Sequence, residues 1–310
     1  GLDYHLVIDN IILKIKFKRR KNMIDIHKNI YDNKLFEELK IDCKKCFGLC
    51  CVALYFSASD GFPIDKESGK PCINLQPDFK CSVHNSLMKR GFKGCTAYDC
   101  FGSGQKVAQV TYKGIDWMQS PELTNQMSEV FLIMRQLHEM LWYLKEASVL
   151  NISDTIKSKI DLIIEETEKI TNMGPEQIIN LDIISHRTKV NLLLSQASES
   201  VMGKVKSFIK TSTLKNMKKL SKNIDLIGAD LRKINLIGAD LRGRFLIAAN
   251  LRNTDLSGAN LIGADLRDCD IRGANLENSI FLTQLQVNTA KGDSSTKLPA
   301  SLIRPKYWEK

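Results

Sequence analysis

Residues 224–243 read IDLIGADLRKINLIGADLRG, a stretch in which an apolar residue returns every five positions. Followed downstream, the rule gives Leu226, Leu231, Leu236, Leu241, Leu246, Leu251, Leu256, Leu261, Leu266, Ile271, Leu276 and Phe281, twelve centres without a slip. A mostly small residue stands two positions before each centre (Ala229, Ala239, Ala249, Ala259, Ala264, Cys269, Ala274), and Asp or Asn usually fills the place between. On an α-helix a step of five turns about 140°, so the centres would wrap all round and form no stripe. On a strand the odd period throws successive centres onto opposite faces. A chain that turns a corner every five residues brings every centre to one axis. Glycines at 228, 238, 243, 258, 263 and 273 suit such corners.

This segment resembles the pentapeptide-repeat proteins. The resemblance implies a right-handed quadrilateral β-helix with four repeats per coil, hence three coils and a solenoid only about 14 Å tall at ~4.8 Å per coil. Ile224, Ile234 and Arg244 depart from the pattern at the small-residue position. Residues 284–310, with Pro299, Pro305 and Trp308, are similar to the C-terminal cap that follows such repeats and suit a cover over an open coil end. Some members of the family imitate duplex DNA, which needs a long and strongly negative rod. Residues 224–283 carry eight acids and seven bases, so that role is not expected here. Arg232, Arg252 and Arg272 recur at twenty-residue intervals and should stack on one face. Charge balance with Asp230 and Asp270 is the simpler reading of them, an anion-binding ladder the sharper one. Cys269 falls on an inward small-residue position and reads as a buried core thiol.

A second pattern precedes the first. CKKCFGLCC spans Cys43 to Cys51, and Cys72, Cys81, Cys95 and Cys100 follow within fifty residues. From Cys43 to about Ile115 the chain is rich in Cys, Gly, Phe and Pro, with turn signals at SDGFP, SGKP, QPDF and FGSGQ. Such a stretch has little helical periodicity and needs something besides a large apolar core to hold it. Two thiolates separated by two residues can approach one metal ion, and further pairs must fold back to complete a tetrahedral set. Soft sulfur ligands select zinc, iron–sulfur clusters or Cu(I). The expected ligands are therefore Cys43, Cys46, Cys50, Cys51, Cys72, Cys81, Cys95 and Cys100, serving zinc or an iron–sulfur cluster, with the two left as alternatives. Adjacent Cys50 and Cys51 cannot easily point the same way, so either they serve different metals or one of them stays free. His84, three residues after Cys81, is left outside the set. Asp42 and Asp99 read as solvated charges or turn caps. FGSGQ lacks the Lys-Ser/Thr of a phosphate loop and reads as a turn.

This stretch resembles the YkgJ-like cysteine-cluster family, whose CxxCxxCC-type motif is thought to chelate zinc or iron. The match covers Cys43 to Cys100 and includes the Cys50-Cys51 pair, Cys72, CSVH at Cys81 and Cys95. Here the first motif is spaced C-x2-C-x3-C-C, and LMKRGFKGC stands where the family often has Arg-Pro.

Between the two patterns lie helical periods. After Met23, IDIHKNIYDNKLFEELKID reads as a short helix. Val130, Met134, Leu137, Leu141 and Leu144 recur at three- and four-residue steps, with Thr124 as a start cap. A second helix is expected from a cap at Ser153 to a stop at Gly174-Pro175, and a third within residues 175–201, the three forming a small bundle. Residues 203–223 hold seven lysines and no acid. They read as a solvated linker or cap helix, or as a strip for nucleic acid.

The fold class expected is multidomain α+β. Its segments are an N-terminal extension (1–22), a Cys-rich metal-binding module (23–115), a helical bundle (116–202), a basic linker or cap helix (203–223), the C-terminal right-handed quadrilateral β-helix (224–283) and a cap (284–310). In the extension, KFKRRK follows rather than precedes the apolar run, the reverse of a secretory signal. Lys18 to Met23 reads either as a translated ribosome-binding site, with Met23 as the start, or as an ordinary basic N-terminal arm. A cytoplasmic setting follows as an expectation, and with it free thiols rather than disulfides. The net charge of +10 favours a polyanionic or acidic partner. No apolar run is long enough to span a membrane. The function expected is a bacterial interaction or scaffold protein with a thiolate metal site and a protein partner. An iron- or iron–sulfur-dependent redox or maturation enzyme is the alternative.

Overall fold

The computed structural model describes residue 26 and residues 33–60, 62–207 and 225–309. The extension 1–22 and most of the basic segment 203–223 lie outside the described residues, which include only its first part, Gly203 to Ser207. The chain divides into two compact units. One comprises Asp32–Ser148 and Asp154–Gln196, the other Gly1–Tyr31, Val149–Ser153 and Ala197–Lys310.

The first unit holds the eight cysteines of residues 43–100 and most of the helices. It opens on a 3-10 helix, Asn33–Leu39, and then carries three short helices: α1 (Leu49–Ala53), α2 (Lys93–Ala97) and α3 (Ser103–Lys106), the last continued by a wider turn over Val107–Thr111. Next come α4 (Thr124–Ser148), α5 (Asp154–Thr171), α6 (Pro175–Ile179) and α7 (Ile183–Lys206), which passes into the second unit at Ala197. The apolar period of α4 is realised as burial: Val130, Met134, Leu137 and Leu144 are fully enclosed and Leu141 nearly so. Helix α4 also buries Met127, Phe131 and Trp142, which widens its enclosed face, and α1, α3, α5 and α6 all pack against it. Helix α5 stops before Gly174-Pro175, and Pro175 opens α6 at the position where a missing N–H costs nothing. His186 of α7 is tied to Thr167 of α5 at 2.9 Å, and Lys189 to Glu166 at 3.1 Å.

In the second unit, parallel contacts join Asp225 to Phe245, Asp230 to Asn250, Asp240 to Asn260, Phe245 to Asp265, Asn250 to Asp270, Asp255 to Asn275 and Asn260 to Ile280. Every pair is twenty residues apart, so one turn of chain takes four five-residue steps. All twelve centres are at most 5 % exposed. Burying each such side chain contributes about 2 kcal/mol. The corner glycines, such as Gly243 and Gly263, have φ of 60° and 65°. Ala248, Asn253 and Asp268 take the same left-handed conformation at equivalent corners. Of the pattern-breakers, Ile234 and Arg244 are half-buried and Ile224 lies outside the described residues.

The balance of elements differs from the expected α+β class. Among the described residues the regular structure is helical, and the β contacts are single bridges. The five-residue step is the cause: with a corner in each step, one residue per side is left in ladder register.

Beyond the last centre the register loosens but continues. Asp270 pairs with Lys291 and Asn275 with Lys297. Helix α8 (Gln284–Thr289) is started by Thr283, and Trp308 is buried. Among the described residues no helix is long and apolar enough to cross a membrane.

Candidate thiolate site

The eight cysteines of residues 43–100 all fall in the first unit, and none is cross-linked. Cys72 and Cys100 are buried, Cys43 is exposed, and the other five are half-buried.

Cys43 begins a single 3-10 turn whose end is Cys46, with the Cys46 N–H donating to Cys43 O at 3.4 Å. Two glutamines of the α3 region hold this turn. Gln105 accepts from Asp42 N at 2.9 Å and donates to Lys40 O at 2.7 Å, while Gln109 donates to Lys45 O at 2.9 Å. Cys100 lies just before α3, its carbonyl accepting from Ser103 N at 3.0 Å. Gly104 lets the Cys46 sulfur rest on this helix, since a Cβ there would stand 2.6 Å from Sγ. Cys43 and Cys46 are thus fastened to the element that carries Cys100.

Cys50 and Cys51 are neighbours in α1, entered through Gly48 at φ 67°. Neighbours on a helix point about 100° apart. Cys51 O accepts from Cys72 N at 2.9 Å. Cys72 in turn leads into a hairpin in which Leu75 bridges Cys81 and Gln76 N donates to Lys80 O at 2.9 Å. Cys95 sits in α2.

Burial, then the Cys100 thiol, push Cys46 up to about 12, with nearby backbone N–H groups opposing. Burial, then Cys51, Cys72 and Cys81, push Cys95 up to about 12. Cys81 is raised by burial and then by Cys51 and Cys72, offset by the Val83 N–H. Between Cys50 and Cys51, 4.0 Å apart, the shared S–H contact favours the anion on Cys51 and holds the proton on Cys50.

Lys66 is a member of this region that the sequence did not reveal among so many lysines. It is 7 % exposed, and its ammonium donates to Val52 O, Glu67 O and Lys70 O at 2.9, 2.8 and 2.8 Å. Burial lowers its pKa, and the Cys72, Cys51 and Cys50 thiols partly restore it. Asp99 meets one of the two readings given for it and not the other. It does cap a turn, accepting from Phe101 N at 2.7 Å, but it is buried rather than solvated, and burial pushes its carboxyl up to about 6. Asp42 caps Lys44 N at 3.1 Å, and His84 is exposed.

As donors, eight uncrosslinked thiols in one unit fit a soft ion. As a preformed shell they do not: among the described residues no three His, Cys, Asp or Glu side chains are already placed to hold one metal.

Residues 222–243 and 246–281 match the Pentapeptide repeats family in eight copies. A Bacillus subtilis (strain 168) protein, "Uncharacterized protein YybG", is 54 % identical over 286 residues, covering 92 % of this chain and 99 % of that one. The chain belongs to the same family as YybG and carries pentapeptide repeats. Among solved structures, a pentapeptide repeat protein (Rfr23) from the cyanobacterium Cyanothece 51142 is 29 % identical, at a TM-score of 0.15. That match covers 27 % of this chain and 57 % of the solved one.

On the repeats, the arginines are answered locally. Arg232 pairs with Asp230 at 2.7 Å and Arg272 with Asp270 at 2.6 Å, while Arg242 and Arg267 do the same with Asp240 and Asp265. Arg252 faces Asn250, whose side chain accepts from its backbone N–H at 3.2 Å. This favours charge balance over an anion ladder. Cys269 is fully buried, as its inward position required.

Proposed function

We propose that this protein is a cytoplasmic interaction or scaffold protein in which a thiolate-bound zinc ion or iron–sulfur cluster stiffens a YkgJ-like cysteine module. The repeats, read as a right-handed quadrilateral β-helix, would offer a firm platform to a protein partner. One observation carries the metal assignment: eight thiols from five separate short segments lie in one compact unit without a single disulfide. The twenty-residue spacing of the parallel contacts supports the solenoid.

A metal supplies here what the apolar core does not. Bound there, the ion would be held by cysteines that had given up their protons, and its binding free energy would become folding free energy, on the order of 10 kcal/mol for a structural zinc site. Lys66 sets a positive charge beside Cys51 and Cys72, offsetting some of the anionic charge that thiolates bring together. The chain's own part is to hold the turn at Cys43–Cys46, the α1 pair and the Cys72–Cys81 hairpin within reach of one another.

The test is elemental analysis with sulfide quantitation on full-length protein purified anaerobically. Zinc without sulfide, in colourless protein that loses structure to a chelator, identifies a zinc module. Iron with stoichiometric sulfide in brown protein identifies a cluster. Protein free of both metals that stays folded under chelator overturns the assignment.

A further inference from the structure

The repeats keep one rule that fails at a single exposed place. The residue before each centre is Asp or Asn at every step except two, where Phe245 and Ile280 stand. Ile280 is fully buried, whereas Phe245 is 47 % exposed.

The register sets the neighbours of Phe245. Asp225 bridges it from the preceding turn, and Gly228 N donates to Ile247 O at 2.9 Å. Ile227 therefore lies beside Ile247 on adjacent turns, one strand spacing of about 4.8 Å away. Ile227 is 54 % exposed and Ile247 half-buried. Asp225 turns a carboxylate oxygen to Ile227 N at 2.9 Å. Three apolar side chains thus share one surface of the repeats.

The next step around each turn carries Arg232, Arg252 and Arg272. Arg232 and Arg272 are each gripped through Nε and Nη2 by the aspartate two residues back. Arg252 has Asn250 in that place. Among the described residues neither its guanidinium nor the exposed Lys233 ammonium is in ion-pair contact with a carboxylate, and the nearby Asp230 and Asp270 are already taken. An apolar patch with two unanswered cations on the following step is the result.

We propose that this surface docks a protein segment that lays an apolar side chain on Phe245, Ile227 and Ile247 and sets a carboxylate on Arg252. This rests on the platform reading above and adds to it the place and the chemistry of the partner. Aromatic and arginine side chains are where interface energy concentrates. A carboxylate brought to Arg252 gains a charge-assisted hydrogen bond, and the net charge of +10 draws acidic partners. Two cations are too few for a lipid surface, which basic segments recognise in clusters of about 4–8.

The experiment follows the isoleucine δ1 methyl signals of the full chain by NMR. The probe is a synthetic peptide alternating Leu and Glu, with its Leu–Lys counterpart as control. The Glu peptide should move the Ile227 and Ile247 signals saturably, and the Lys peptide should leave them in place. Arg252→Gln should weaken binding several-fold. Phe245→Asn, which restores the residue type of the other steps, should weaken it about tenfold. The remaining isoleucine signals report whether each variant is folded, and the contrast between the two peptides on the wild type needs no variant. Equal response to both peptides, or unchanged affinity in both variants, overturns the proposal. So does an oligonucleotide that moves Ile227 and Ile247 where the Glu peptide does not, which would give the surface to nucleic acid. Shifts confined to Ile237 or Ile262, or no shift at all, overturn this surface and leave the platform reading standing. Shifts confined to the first unit, at Ile41 or Ile73, overturn both.

Discussion

The sulfurs of Cys50 and Cys51 stand 4.0 Å apart in one turn of α1, and the contact is unequal. The pair shares one hydrogen between sulfurs, which favours the anion on Cys51, and the Lys66 ammonium adds to that preference. Thiolate, not thiol, is the nucleophile. In metal-free reduced protein, iodoacetamide is therefore expected to modify Cys51 before Cys50. Lys66→Met should slow the Cys51 reaction several-fold in protein whose circular dichroism is unchanged. Timed alkylation with peptide mass spectrometry reads both rates, and equal labelling of the two residues would contradict the asymmetry.

His138 of α4 gives the first unit a pH dependence. It is 4 % exposed, and its Nδ1–H donates to Phe101 O at 2.7 Å. Burial lowers its pKa from 6.5 to about 4, with the Phe101 bond opposing and Lys106 and Lys145 reinforcing. The unfolded chain thus binds a proton that the folded chain refuses, so stability falls as pH drops from about 6.5 towards 4. The loss should approach about 3 kcal/mol across that window, at about 1.4 kcal/mol per unit. His138→Asn, whose amide can still donate to Phe101 O, should flatten the profile in urea titrations at stepped pH. A profile as steep as the wild type's would assign the dependence elsewhere.

The repeat core should respond according to position. Leu256 is fully buried in the middle of the stack, while Leu226 lies in the first described turn and is 5 % exposed. Leu256→Ala is expected to cost about 3 kcal/mol, since neighbouring turns on both sides prevent collapse of the cavity. Leu226→Ala should cost less, because an end turn relaxes. Chemical denaturation of the two variants compares them, and equal losses would argue against a stack with interior and end turns.

These residues also show what was legible beforehand. The twelve centres announced themselves because a local rule, one apolar residue in five, is written out at every step. The helix limits near Thr124 and Gly174-Pro175 were equally local. The thiols could be picked out from their spacing, but their ties to Gln105, Gln109 and the Leu75–Cys81 bridge join residues up to 65 positions apart, with no periodic trace. The burial of Lys66 and Asp99 was not legible for the same reason. Their burial comes from packing by distant segments, and a charged residue in a polar stretch looks solvated from the sequence.

Gln286 tests how the end of the stack is closed. Its amide donates to Leu261 O at 2.7 Å and Ala264 O at 2.8 Å, and its Oε1 accepts from Thr283 N at 2.8 Å. Leu261 O has a second donor in Ala264 N at 3.0 Å, so removing the amide strands chiefly the Ala264 carbonyl and the Thr283 N–H. Both are in a buried setting, and leaving a buried polar group without a partner costs about 1–3 kcal/mol. Gln286→Leu, which keeps the bulk, is expected to cost about 3 kcal/mol. Gln284→Leu, nearby on α8 and bonded to Asn288 and Ile303, is partly solvated and should cost much less. Hydrogen exchange separates the explanations: the Thr283 amide should lose protection in Gln286→Leu and keep it in Gln284→Leu. If both variants were equally stable and equally protected, the side chain of Gln286 would be filling space rather than answering the backbone of the last turns.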